Sequence, residues 1–349
     1  METTPATSMF FTFFFMGSFL SLPSLITASS SNVTAVFAFG DSSIDPGNNN
    51  LVPTPARCNF PPYGLDFPNH AATGRFCNGK LPTDFLASLL GLKDLLPAYL
   101  DPELTENDLL TGVSFASAAS GLDPLTSLTT RALDVSTQLK LFEEAVVRME
   151  RLVGEEKSRF ILDNGIFFFS VGSPDVLINF YTTHARALQF SVSEYQDFLL
   201  QKLESAVQRL YKAGGRRFLL TGLPPIGCLP ASMTVFQHEC VEERNAESRA
   251  YNTKLQSLIS RWQAELFKGA KIAYLDAYNP LIDMANNPNK YGFEETRKGC
   301  CGTGIYCDVA KPVCPDRTKY LFWDAFHPTE AAYSIMVNEA VKTLLPLLN

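Results

Sequence analysis

Histidine and tryptophan are scarce in this chain, with four and two residues in 349, and its 29 lysines and arginines are outnumbered by 36 aspartates and glutamates. The resulting net charge of −7 argues against a nucleic-acid or anionic-membrane partner, because a mildly acidic surface repels polyanions. No Gly-x-Ser-x-Gly sequence occurs, which excludes the usual nucleophile elbow of α/β-hydrolases. No Cys-x-x-Cys pair occurs either, so the common zinc modules are disfavoured. Internal repeats, low-complexity stretches and a linker are also missing, which favours one large domain over two. The apolar run at 9–20 is too short for a membrane span of ~20 residues, and Pro23 interrupts any longer helix. Integral membrane association is therefore not expected.

That same run, rich in phenylalanine and followed by small residues from Ser21 to Ser31, reads as a signal peptide spanning 1–28, cut near Ala28. Glu2, with no Lys or Arg before the run, is the one departure from the pattern. The expected product is a secreted single domain at 32–349. In that setting Asn32-Val33-Thr34 is an N-glycosylation sequon. The eight cysteines then become candidates for disulfides. Cys300, Cys301, Cys307 and Cys314 crowd one Gly- and Pro-rich segment and Cys228 and Cys240 bracket another, as local staples would. Connectivity stays open, and Cys58 and Cys77 either pair or remain thiols.

Short β-branched and aromatic runs at 35–40, 112–116, 166–171, 217–220 and 271–275 alternate with amphipathic stretches at 81–90, 135–152, 193–213, 243–267 and 329–345. This is the pattern of a five-stranded parallel sheet in a three-layer α/β/α sandwich. Ligand sites in such folds lie beyond the carboxyl ends of the strands, so residues just after each strand carry the functional expectation. Phe167–Phe169, within the third run, read as core.

The first run ends in Phe39-Gly40-Asp41-Ser42-Ser43. A serine directly after a buried strand, behind a glycine that allows close backbone approach, is placed as an exposed nucleophile. The plainer reading is that Ser42 or Asp45 caps a turn. Near the other end, Asp324 and His327 stand three positions apart in Trp323-Asp324-Ala325-Phe326-His327-Pro328-Thr329. At that spacing a carboxylate holds one imidazole nitrogen and leaves the other free as a general base. The plainer reading here is that Thr329 caps the last helix and its neighbours are ordinary loop residues. Taken together, the two ends supply a nucleophile and its base.

FGDSSIDPGNNN at 39–50 and DAFHPTE at 324–330 resemble the first and last blocks of the plant GDSL esterase/lipase family, within the SGNH hydrolases. PPYGLDFPNHAATGRFCNGK, GLPPIGCLP, RAYNTKL and KGCCGTG resemble intermediate blocks in the right order. Segments such as LPAYLDPELTENDLLTGVSFAS look most like its extracellular-lipase branch. The resemblance implies a flavodoxin-like SGNH fold and a Ser42, His327, Asp324 triad that works without metal or cofactor. It also implies a small acyl ester or an acylated polymer as substrate; oligomeric state is left open.

The family stabilises the reaction's oxyanion with the nucleophile's backbone N–H, a glycine N–H and an asparagine side chain. Ser42 keeps the first, but Pro174 stands where Gly-x-Asn-Asp has its asparagine and offers neither an N–H nor a polar side chain. The glycine position falls either at Gly79 or in the loop after the second run, where Ala118 and Ala119 replace Gly-Gly. An alanine serves only if positive φ is not required. Ser173 and Asn179 are the available substitute donors. A slow secreted esterase is expected; the alternatives are an impaired member acting as a binding protein, or an acyltransferase. His70, His184 and His238 lack acidic or cysteine partners at ligand spacing. Asp41 and Asn48 to Asn50 are expected to organise the Ser42 loop, and Arg75 and Asn78 to fix a turn.

Overall fold

A computed structural model of the chain describes residues 1, 2, 32–237 and 239–348. The signal segment proposed for 1–28 lies almost wholly outside the described residues, as does His238. Asn32–Asn349 forms one unit.

Four parallel strands, β1 (Val36–Gly40), β2 (Ile166–Ser170), β3 (Arg217–Thr221) and β4 (Lys271–Leu275), pair in the order β1-β2-β3-β4. β1 is buried throughout, as expected of a parallel sheet covered on both faces. Alternate side chains feed two cores. Phe37, Phe39, Phe167, Phe169, Phe218 and Leu220 enter the larger one, under the helices Val135–Val153, Val192–Lys212 and Glu242–Arg261. Val36, Ala38, Ile166, Phe168 and Leu219 enter the other, against Leu86 of the helix Pro82–Leu89 and Leu348 of Glu330–Leu348. The result is the expected three-layer α/β/α sandwich. Phe167 to Phe169 are buried, as read from the sequence.

The sheet has four strands, not five. Residues 112–116 do run beside β1, joined to it where Ala38 N–H donates to Val113 O and Phe115 N–H to Ala38 O. They form only isolated bridges, however, through Ser114 to Ala38 and Ala98. The pairing stops at Gly40: its carbonyl accepts from Ser117 N–H, but its N–H, which would continue the ladder to Phe115 O, donates instead to Gln138 Oε1 at 2.8 Å.

With that segment on its outer side and β2 on its inner side, β1 is where the chain reverses its order across the sheet. The crevice at such a switch point opens beyond the carboxyl ends of β1 and β2. Ser42 follows one of these ends, and Gly172-Ser173-Pro174 the other. A second sheet pairs β5 (Glu295–Gly299) with β6 (Tyr320–Phe322) and leads directly into Asp324. The cysteines pair as Cys228–Cys240, Cys300–Cys314 and Cys301–Cys307, while Cys58 and Cys77 are buried thiols. No helix among the described residues is long and apolar enough to cross a membrane.

Candidate active site

Gly40 ends β1 at φ 152°, so close to β2 that a Cβ would stand 1.9 Å from Ser170 O. Only glycine lets the chain turn there and lift Ser42 out of the sheet. The turn is then pinned by polar side chains. Asp41 accepts from Ser43 N–H at 3.0 Å and from Ser43 Oγ at 2.8 Å, and Ser43 Oγ also meets Ser170 Oγ at 2.8 Å. Burial raises the Asp41 carboxyl's pKa, against the opposing pull of Ser43 and the nearby His327. Asp45, pushed up to about 6 by burial, accepts from Gly47 and Asn48 N–H. Asn49 Nδ2 reaches Ala56 O and Ala118 O. Asp41 and Asn48 to Asn50 thus organise this region as expected.

His327 Nε2 lies 2.7 Å from Ser42 Oγ, and its Nδ1 lies 2.9 Å from both oxygens of Asp324. A carboxylate only accepts, so Nδ1 carries the proton and Nε2 presents its lone pair to the serine hydroxyl. Ser42 and His327 meet although they stand 285 residues apart in sequence. Asp324 is fully buried and His327 is 8% exposed. The carboxylate also accepts from Phe326 N–H at 2.9 Å, His327 N–H at 2.8 Å and Tyr63 Oη at 3.0 Å. The imidazole rests on the Phe76 ring, with centroids 5.2 Å apart, and Trp323 N–H donates to His327 O. Thr329 does cap the final helix, accepting from Ala332 N–H at 3.3 Å, as the plainer reading of this turn expects, while Asp324 and His327 are not ordinary loop residues but are paired with each other. Such a series can remove the proton from Ser42 and return it to a leaving group.

The groups expected to receive an oxyanion are placed differently from expectation. Ser42 N–H has no acceptor among the described residues. Ala118 N–H, expected as a donor, is spent on Asp45 Oδ2 at 2.9 Å. The free amide is its neighbour's: Ala119 N–H has no acceptor among the described residues. Ala119 sits at φ 61°, the left-handed region that a Cβ penalises by ~1–2 kcal/mol. Gly79, the other candidate, packs instead against the Glu330 carboxylate, which a Cβ would strike at 2.3 Å, while its N–H faces the Cys77 thiol. Pro174 begins the π-helical turn Asp175–Thr182 and supplies no donor. Asn179 is committed to Thr126 Oγ1 at 2.7 Å and Tyr195 Oη at 3.3 Å. The half-exposed Ser173 hydroxyl has no partner among the described residues.

Other residues behave as read. Arg75 makes a buried fork with Asp84 at 2.8 and 2.9 Å and reaches Pro46 O. Asn78 bridges Asp66 and the backbone of Glu330. His70 and His184 are exposed.

Sequence reasoning misses three contributors. Tyr63 holds Asp324, and Asp175 holds the loop that follows Ala119 by accepting from Leu122 N–H and Asp123 N–H. Gln138, fully buried, accepts from Gly40 N–H at 2.8 Å and donates to Gly40 O at 2.9 Å and Ser120 Oγ at 3.1 Å. It ties the Ser42 turn to the loop carrying Ala119. Its sequence signal is a polar residue at a core-facing position between Val135, Leu139 and Phe142.

Residues 36–340 match the family model described as GDSL-like lipase/acylhydrolase. Among similar proteins, one GDSL esterase/lipase of Arabidopsis thaliana is 48% identical over 97% of this chain and 98% of its own length. Two others from the same plant are 43% and 45% identical, over 90% and 87% of this chain and the same shares of their own lengths.

Proposed function

The chain belongs to the GDSL-like lipase/acylhydrolase family, and on that premise we propose that it is a carboxylic ester hydrolase in which Ser42, His327 and Asp324 carry the reaction. The observation that carries this reading is the continuous hydrogen-bonded series from Ser42 Oγ through the imidazole to Asp324. Ser42 Oγ attacks the ester carbonyl carbon while its proton passes to His327 Nε2. The tetrahedral intermediate collapses as His327 gives that proton to the departing alcohol. Water, deprotonated by the same nitrogen, then attacks the acyl-serine and releases the carboxylic acid. Asp324 stays ionised throughout and steadies the imidazolium.

In this reading the oxyanion receives the N–H groups of Ser42 and Ala119, with the Ser173 hydroxyl nearest in sequence to the lost asparagine. Losing one donor costs about 10²–10³ in turnover, so the enzyme is slow. The substrate class is an acyl lipid or an acylated wall polymer. Secretion is part of the proposal, supported by the apolar leader and by the disulfides, which persist in oxidising compartments. Exposed Asn32 is then the proposed glycosylation site, at the start of a single domain at 32–349.

A second reading, a binding protein without turnover, is favoured by one observation: Pro174 in place of a donor. A p-nitrophenyl alkylphosphonate separates the two, because its phosphorus is attacked only by an activated hydroxyl. The expected result is one adduct on the Ser42 peptide, absent after His327→Ala. Labelling that is absent, or unchanged by His327→Ala, would remove the esterase reading.

A further inference from the structure

We infer that Tyr63 is a positioning residue for Asp324, and that the small loop closed by Cys301–Cys307 sets Tyr63 in place; the inference rests on the triad reading above. Tyr63 is 1% exposed, wedged edge-on against Phe60, Phe76 and Trp323 at 5.5, 5.7 and 6.4 Å between centroids. Its hydroxyl has two neighbours whose roles leave no ambiguity. Asp324 Oδ2, 3.0 Å away, can only accept, and Cys307 N–H, 3.3 Å away, can only donate. The series therefore runs in one direction, from Cys307 N–H to Tyr63 O–H to the carboxylate and on to His327. Burial and the adjacent Asp324 charge push the phenol's pKa far up, so the proton that makes this bond stays on Tyr63.

The loop that supplies Cys307 is itself built onto the backbone before Asp324. Cys300 N–H donates to Phe322 O at 3.0 Å and Cys301 N–H to Trp323 O at 2.9 Å, while Asp308 N–H closes back onto Cys301 O. Gly299 lies so close to this strand that a Cβ would meet Asp324 O at 2.6 Å. The disulfide loop thus grips Asp324 twice, through the chain before it and through Tyr63 beside it.

Tyr63 shares the negative charge of Asp324 with the imidazole. Without the hydroxyl the carboxylate is less neutralised, favours imidazolium more strongly, and moves the protonation of His327 to higher pH. It is also less firmly oriented, which slows proton transfer without touching substrate binding.

The test is Tyr63→Phe, which keeps the ring packing, in the oxidised full chain. With only four histidines, selective ¹⁵N labelling follows His327 directly through a pH titration. The expected result is a His327 titration moved upward by about half a unit, and kcat lowered about tenfold with KM within twofold, the scale of one hydrogen bond to a charged group. Cys301→Ser with Cys307→Ser should move His327 in the same direction by a smaller amount, and should add little once Tyr63→Phe is present. An unchanged His327 titration in Tyr63→Phe would overturn the inference, as would full additivity of the two changes. If the serine pair fails to fold, the Tyr63→Phe titration decides alone. That titration does not depend on turnover, so a chain without Ser42-dependent hydrolysis would remove the esterase reading while the spectrum still decided the role of Tyr63.

Discussion

On one side of Ser42 a buried carboxylate collects Tyr63, Phe326 and both the backbone and the ring Nδ1 of His327, and the imidazole it holds reaches the serine at 2.7 Å. On the other side, where an oxyanion would sit, Ala118 N–H is spent on Asp45, Ala119 N–H hangs on a left-handed alanine, and Pro174 offers no hydrogen at all. In the proposed mechanism the two halves serve different terms of one barrier. Proton transfer needs the first, and charge stabilisation at the carbonyl oxygen needs the second. A chain that keeps one and thins the other should follow the same chemical route at a reduced rate. The contrast also separates loss of mechanism from loss of rate, and it can be broken or sharpened by substitution on either side.

The largest effect is expected on the intact half. Ser42→Ala should reduce ester release to background, a fall of at least about 10³, measured as initial rates under saturating substrate. On the thinned half, Pro174→Asn should raise kcat by about 10²-fold if the restored amide reaches the oxyanion. An unchanged kcat, with the variant folded, would mean that the π-helical turn Asp175–Thr182 holds position 174 away from Ser42. A smaller effect is expected from Ala119→Gly, which removes a Cβ from positive φ. It should stabilise the fold by about 1 kcal/mol in urea unfolding and leave the donor in place. A lower stability would mean that the Ala119 methyl group is worth more in packing than it costs in backbone strain.

The smallest effect concerns pH. Burial raises Asp175 to about 7, above its ordinary 3.8, despite hydrogen bonds from Thr126, Leu122 and Asp123. Between those values the folded chain holds a proton that the unfolded chain has released. The stability from this group is therefore full below about pH 4 and is lost as pH rises through about 7. Asp175→Asn should lower the melting temperature overall, because it loses an acceptor, yet flatten its decline from pH 4 to 7. A slope identical to wild type would place that pH dependence elsewhere.

Much of this architecture is legible in the order of the amino acids. Uninterrupted apolar runs mark β1 to β4, and the amphipathic stretches lie within a few residues of the observed helices, with 243–267 divided into Glu242–Arg261 and the π-turn Trp262–Leu266. The expectation that Ser42 and His327 meet rests on a serine directly after the first run, an aspartate and a histidine three positions apart before the last helix, and the resemblance of both segments to family blocks. What stays hidden depends on partners distant in sequence. Residues 112–116 carry strand-like side chains, yet Gln138, 98 residues from Gly40, takes the Gly40 N–H that would continue their pairing with β1. Ala118 reads as a donor, but Asp45 occupies it, and nothing local shows which of two adjacent alanines turns left-handed. β5, Glu-Thr-Arg-Lys-Gly, has no apolar pattern to betray a strand; a three-residue partner and two disulfides hold it.

The central claim, a whole proton-transfer half beside a depleted anion-binding half, is tested most directly by p-nitrophenyl butyrate hydrolysis with wild type, Ser42→Ala and Pro174→Asn side by side. Wild type should release product slowly, Ser42→Ala only at the background rate, and Pro174→Asn clearly faster than wild type. Equal rates for wild type and Ser42→Ala would contradict that claim.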